Sequence, residues 1–242
     1  MRATRVYVDQ HLETGAVCRL PEEAAHHVAT VLRMKTGQAL ILFNGLGGSF
    51  RAVISKMEKR NVEVTPGVHQ PDECESPLAI TLAQAVMRGQ HMDYALQKAV
   101  ELGVQRVVPL LCLQGNVRLD HEQQQRRHEH WLKIIQSACE QCGRNRIPLL
   151  SAALRLVDWV GTDSNDLKLI LHPGDGVRIA DLRTTCKSLT LLAGPEGGFS
   201  DDEIAGAERH GYQSVTLGPR ILRAESAALV AISVCQARWG DV

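Results

Sequence analysis

Aromatic side chains make up only 4% of the 242 residues, and no run of about 18 consecutive apolar residues occurs. The first scarcity argues against a sequence-neutral single-strand binder, which stacks bases on aromatic rings. The second excludes a helical membrane span. The amino terminus, MRATRVYVDQ, lacks the apolar centre and small-residue cleavage site of a secretion signal, so a cytoplasmic protein is expected. Cysteines stand at 18, 74, 112, 139, 142, 186 and 235, an odd set without framework spacing, and are read as reduced thiols. Cys139 and Cys142 form a CxxC with no second pair to follow; helical neighbours on one face explain it, and no metal is expected. There is no excess of positive charge, the formal net charge being zero. Neither GKS nor GKT occurs, nor a GxGxxG after the first strand with its ribose-binding acid, which argues against nucleoside triphosphates and against a dinucleotide oxidoreductase.

What is present is a hydrophobic content of 44%, enough for one substantial core and a second small one. PDECESP, residues 71 to 77, reads as a linker between residues 1–73 and residues 74–242. Before it, short runs such as QALILFN, SFRAVIS and NVEVTPGV alternate between turn residues and predict a small β-barrel. One helix interrupts them, with Pro21 at its first position and Ala24, Val28, Val31 and Leu32 at helical spacing. After the linker, apolar runs alternate with helical stretches, which predicts an α/β domain on a parallel sheet with ligands at the carboxyl ends of its strands. Three loops qualify: HPGDG after Leu171, GPEGGF after Ala193 and GPRILRAES after Leu217. Charge is unevenly spread, with nine basic and six acidic residues in 76–150 against nine and twelve in 151–242. A basic surface beside an acidic pocket is expected.

The second loop, LLAGPEGGFSDDEI, combines close-approach glycines with acids. Ser200 and Glu203 have the spacing of a capping box, and Asp201 and Asp202 suit the positive end of a helix dipole. A helix start satisfied in this way has no free amides for phosphate. The loop is therefore either a tight strand-to-helix turn or a site for a neutral or cationic ligand, S-adenosylmethionine being one.

The pair GPEGGFSDDEI and LGPRILRAESAAL, about twenty residues apart, resembles the RsmE family of ribosomal RNA methyltransferases in the SPOUT class. HHVATVLRMKTGQ, QKAVELGVQRVVPL and EQCGRNRIP extend the resemblance along the whole chain. It implies a PUA-like amino-terminal barrel, a trefoil-knotted carboxyl-terminal α/β domain and a homodimer. It also implies methylation of N3 of a uridine in 16S ribosomal RNA of the small subunit, with S-adenosylmethionine as donor. One departure is that Ala224 stands where the family usually has Thr, while Ser226 keeps the second hydroxyl. A noncatalytic RNA-binding or ribosome-assembly factor that retained the fold is the alternative.

On that resemblance, the donor pocket has three walls: Leu171, His172 and Pro173; Gly194, Pro195, Glu196, Gly197 and Gly198; and Leu217, Gly218, Ile221 and Leu222, with Ser226 beside them. Arg223 is the candidate to stabilise the uracil anion, and Glu225 is expected to orient Arg223 or to act as base. Arg2, Arg5, Arg33, Lys35, Arg88, Lys98, Arg144 and Arg146 are the candidate RNA contacts, with Arg144 and Arg146 set on a loop after a helix end at Gly143.

Overall fold

The structure is a computed structural model that describes residues 3–58, 61–115, 120–174 and 176–242. The chain divides into two units, Met1–Glu75 with Gln136–Ile147, and Ser76–Ile135 with Pro148–Val242. The first break falls two residues beyond the one expected, inside the acidic PDECESP stretch. The return of residues 136–147 to the first unit has no counterpart in the sequence reading.

The first unit contains β1 (Arg5–Tyr7), β2 (Cys18–Arg19), α1 (Glu22–His26), β3 (Ala39–Phe43), β4 (Ser49–Glu58) and β5 (Asn61–Gln70). They form one sheet in the order β1-β3-β4-β5-β2, with β1 parallel to β3 and the other pairs antiparallel. Period-two alternation sets its inner face: Phe50, Ala52 and Ile54 of β4, and Val62 and Val64 of β5, point into the core. Helix α1 begins after Pro21 and passes at once into a π-helical turn over His27–Val31. The wider turn moves the apolar register by one residue. Ala25 and Val28 are buried, whereas Val31 and Leu32, expected on the same stripe, are exposed.

In the second unit β6 (Ala79–Ala85), α2 (Gln90–Glu101) and β7 (Arg106–Leu111) come first, and α3 (His121–Cys142) follows, its last turns belonging to the first unit. Then come β8 (Leu149–Leu150), β9 (Leu154–Arg155), α4 (Leu156–Trp159), β10 (Leu167–Leu171), β11 (Val177–Arg178), β12 (Ser188–Ala193), α5 (Asp201–Arg209), β13 (Gln213–Thr216) and α6 (Ala224–Trp239). The sheet runs β11-β13-β10-β12-β6-β7-β8, every pair parallel, with β9 also on β7. Alternate residues of the central strands feed two cores. Ile80, Leu82, Leu169, Leu189 and Leu191 face α2 and α6, while Ala83, Val108, Ile170 and Leu192 face α4 and α5. Burial on both faces is why these strands are nearly continuous apolar runs. Among the described residues no helix is long and apolar enough to cross a membrane.

Candidate active site

Strands β13, β10 and β12 lie side by side and parallel, so their carboxyl ends open on one edge of the sheet. The loops at residues 172–174, 194–200 and 217–223 leave from that edge. The first is tied to the third strand by the His172 N–H, which donates to the Val215 carbonyl at 3.0 Å. In the second, the Gly198 N–H closes a turn on the Pro195 carbonyl at 2.9 Å. Gly198 has φ +76° and Gly218 φ +123°, and an added Cβ at either would project into open space. Both keep the backbone approachable from the cleft side, as a binding loop requires.

Between these loops lies a cleft of about 530 Å³, lined by Leu171, Pro173, Ala193, Gly194, Pro195, Glu196, Gly198, Ile221, Leu222, Ala224 and Ala227, with His91, Arg223 and Glu225 as further polar groups. A smaller hollow shares Leu171, Pro173, Ile221, Leu222 and Ala227 with it and adds His172, Leu217 and Gly218. The volume and the apolar walls with few polar anchors are those of a small-molecule site. Of the residues picked from sequence for the donor pocket, Gly197 and Ser226 are not among those lining the two hollows. Gly197 turns towards the Gln114 carbonyl, and Ser226 sits within the first turn of α6.

Glu203 sits at 2% exposure and locks the start of α5. Its Oε2 accepts from the Ser200 N–H at 2.9 Å, its own N–H donates to Ser200 Oγ at 3.3 Å, and its Oε1 accepts from the Leu113 N–H at 2.7 Å. This is the capping box read from the sequence, and it engages the Ser200 and Glu203 amides, two of those a phosphate could use, beside the acids Asp201 and Asp202. Glu196 stays exposed and accepts from the Arg88 N–H at 3.3 Å.

Glu225 opens α6 at 8% exposure, and its partner is His91 near the start of α2, with Nδ1 3.0 Å from Oε1. The expected roles of Glu225 are to orient Arg223 or to act as base; the bond its carboxylate makes joins it to His91. Arg223 is exposed at the N-cap of α6 and lines the cleft. His91 was missed, as was buried Gln84, whose Nε2 donates to the Ala85 carbonyl at 3.2 Å and to the Ala193 and Gly194 carbonyls at 3.4 Å each. A signal for His91 existed. Arg88-Gly89-Gln90-His91 is another glycine turn from strand to helix, with Gly89 at φ +44°.

The candidate RNA contacts separate clearly. Arg33, Lys35, Arg88 and Arg146 are exposed, Arg146 lying 3.6 Å from Glu73. Lys98 is held by Glu101 at 2.8 Å, a bond that raises its pKa. Arg5 donates to Asn145 Oδ1 at 2.6 Å and to the Arg144 carbonyl at 3.1 Å, and its guanidinium lies 4.8 Å from the Phe43 ring centre. Arg144 is a correction, for it is buried at 3% exposure and bonded to Glu75, so its charge is spent inside the unit. Arg2 lies outside the described residues. Burial pushes the Cys139 thiol up to about 12, and among the described residues no group of three or more metal-ligating side chains occurs.

Residues 74–236 match the model of the RNA methyltransferase domain, and residues 20–67 that of the RNA methyltransferase PUA domain. The class is therefore an RNA methyltransferase with a PUA domain. A Buchnera aphidicola (Acyrthosiphon pisum) relative named ribosomal RNA small subunit methyltransferase E is 34% identical over 98% of this chain and 94% of its own. The Rickettsia conorii protein of that name is 30% identical over 96% and 95%. Among solved structures, a Legionella pneumophila methyltransferase in complex with S-adenosylmethionine superposes with a TM-score of 0.97 at 42% identity, covering 100% of both chains. The Neisseria gonorrhoeae ribosomal RNA small subunit methyltransferase E bound to S-adenosylmethionine does so with a TM-score of 0.92 at 34%, covering 99% of both. This chain belongs to the ribosomal RNA small subunit methyltransferase E family.

Proposed function

We propose that the protein methylates N3 of a uridine in 16S ribosomal RNA of the small subunit, using S-adenosylmethionine, and that it works in the cytoplasm as a homodimer with a trefoil-knotted carboxyl-terminal domain. The observation that carries the reading is the cleft where the three loops converge, with Arg223 and the His91–Glu225 pair among the residues lining it. The family and the two donor-bound relatives support it.

The residues fit the donor. Leu171, Pro173, Ile221 and Leu222 give an apolar slot for the adenine, the strand-end amides and carbonyls offer both donors and acceptors, and Gly198 and Gly218 leave room at the backbone. Glu196 suits a positive ligand and disfavours polyphosphates. When bound, S-adenosylmethionine supplies a methyl group already activated by the sulfonium charge.

Uridine N3 carries a proton and is a poor nucleophile until it loses it. The protein's task is to hold the uracil in line and to stabilise the anion that forms, and the Arg223 guanidinium on the cleft wall is suited to the uracil oxygens. Exposed Arg33, Lys35, Arg88 and Arg146 would contact RNA phosphates and position the target without reading its sequence.

The test is to incubate purified protein with isotopically labelled donor and either unmodified small subunits or free 16S ribosomal RNA, and to map the product by mass spectrometry. 3-Methyluridine at one site is expected. Methylation of another atom removes the target, and no incorporation into either substrate favours the noncatalytic factor.

A further inference from the structure

Four titratable side chains line the cleft: His91, Glu196, Arg223 and Glu225. A guanidinium accepts no proton under working conditions. Glu196 lies exposed on the loop tip and is engaged by the Arg88 N–H. Glu225 has a side chain only 11% accessible, whereas that of His91 is 46% accessible. Any RNA base entering the cleft therefore meets the imidazole ahead of the carboxylate behind it.

The 3.0 Å contact between His91 Nδ1 and Glu225 Oε1 fixes the chemistry of the ring. A carboxylate can only accept, so Nδ1 carries the hydrogen and donates it. In the neutral imidazole this leaves the lone pair on Nε2. The same division of labour, a carboxylate holding the tautomer and the imidazole doing the proton transfer, operates in hydrolase triads. Both partners sit at helix starts, His91 at the second residue of α2 and Glu225 at the second of α6. Their backbones are set by packed elements and not by a free loop.

We propose that His91 is the general base of the reaction and that Glu225 is its positioning residue. In this step the N3–H bond of the uridine breaks, its electron pair stays on N3, and the proton joins the Nε2 lone pair. The resulting imidazolium is balanced by the Glu225 carboxylate. The N3 pair is then free to take the methyl group, and the donor departs as a neutral thioether. The inference rests on the proposed uridine-N3 reaction.

The test uses the full chain and its H91A, H91Q and E225A variants. H91A and H91Q are expected to lower kcat by about 10²- to 10⁴-fold, the usual worth of a general base. Donor affinity by calorimetry should stay within about threefold in both, which also reports an intact fold. RNA carrying 5-fluorouridine at the target, whose N3 proton is more acidic, should narrow the gap between H91A and wild type by tenfold or more; a purely structural defect would be unmoved by it. Nitrogen-15 spectra of histidine-labelled protein should show the Nδ1–H form at His91, lost in E225A, which removes the acceptor. If wild type makes 3-methyluridine and H91A matches it within threefold, or the fluorinated substrate leaves the gap unchanged, His91 is not the base. If wild type methylates another atom, the proposed function itself fails and the role of His91 falls with it.

Discussion

Arg144 grips Glu75 with two nitrogens, Nε to Oε1 at 2.9 Å and Nη2 to Oε2 at 2.5 Å, with only 4% of the arginine side chain and 14% of the glutamate accessible. The planar fork of the guanidinium matches the carboxylate, and low accessibility keeps water from competing. Glu75 holds the Arg144 pKa above its usual value even though burial opposes the charge. The pair belongs to the first unit and fastens its returning segment.

Breaking that pair from one side leaves a buried charge alone. Arg144→Met is expected to cost about 3–5 kcal/mol in urea unfolding, and the double variant with Glu75→Leu to recover most of it. A loss of less than about 1 kcal/mol in the single variant would mean the charge is hydrated after all.

Glu140 accepts the Tyr7 N–H at 2.9 Å, yet burial pushes its pKa above the ordinary 4.5, outweighing that bond and nearby Arg5 and His27. A raised acid binds its proton more readily folded than unfolded, so stability falls as pH rises from the ordinary carboxylate value through the raised one. Glu140→Gln keeps the acceptor without the charge. It should raise Tm by about 1 to 3 °C at pH 7 and lose that advantage below pH 4, as thermal melts across pH would record.

Gly198 has a left-handed backbone with free space around it, so Gly198→Ala tests conformation without a clash. The strain of about 1–2 kcal/mol should open the turn on Pro195 and weaken donor binding by roughly tenfold in calorimetry, with global stability lowered by no more than that strain. Unaltered affinity would separate this turn from the donor.

Glu203→Ala removes three acceptor contacts at once, those from the Ser200 N–H, the Ser200 hydroxyl and the Leu113 N–H. A destabilisation of about 2 kcal/mol is expected by chemical denaturation. Glu203→Gln should cost less, since an amide oxygen can still cap.

The parallel sheet, the loops at its carboxyl edge and the capping box were legible because each leaves a local trace: apolar runs of strand length, glycine after a strand, Ser three residues before Glu. The individual residues placed on the donor walls came from the family resemblance and not from the loops alone. What the sequence hid is what depends on distance along the chain. Glu225 and His91 stand 134 residues apart, and Arg144 and Glu75 69 apart, and no spacing rule joins them. The exposure of Arg144 was misjudged for the same reason, since a basic residue after a helix-ending glycine looks solvated until its acid is found. Val31 and Leu32 were misplaced by a π turn, which shifts the register without changing the residue pattern.

Residues 136–147 have a consequence for how this protein can be divided or inherited. They supply Glu140 to Tyr7, Asn145 to Arg5 and to the Asp72 carbonyl, and Arg146 as a bridge partner of Gly45 and Leu46. A fragment ending at residue 75 would lack all of these. Recombination that exchanged the amino-terminal module alone would strand those partners on the wrong parent, so exchange of this unit needs a matched insert in the middle of its neighbour's gene segment.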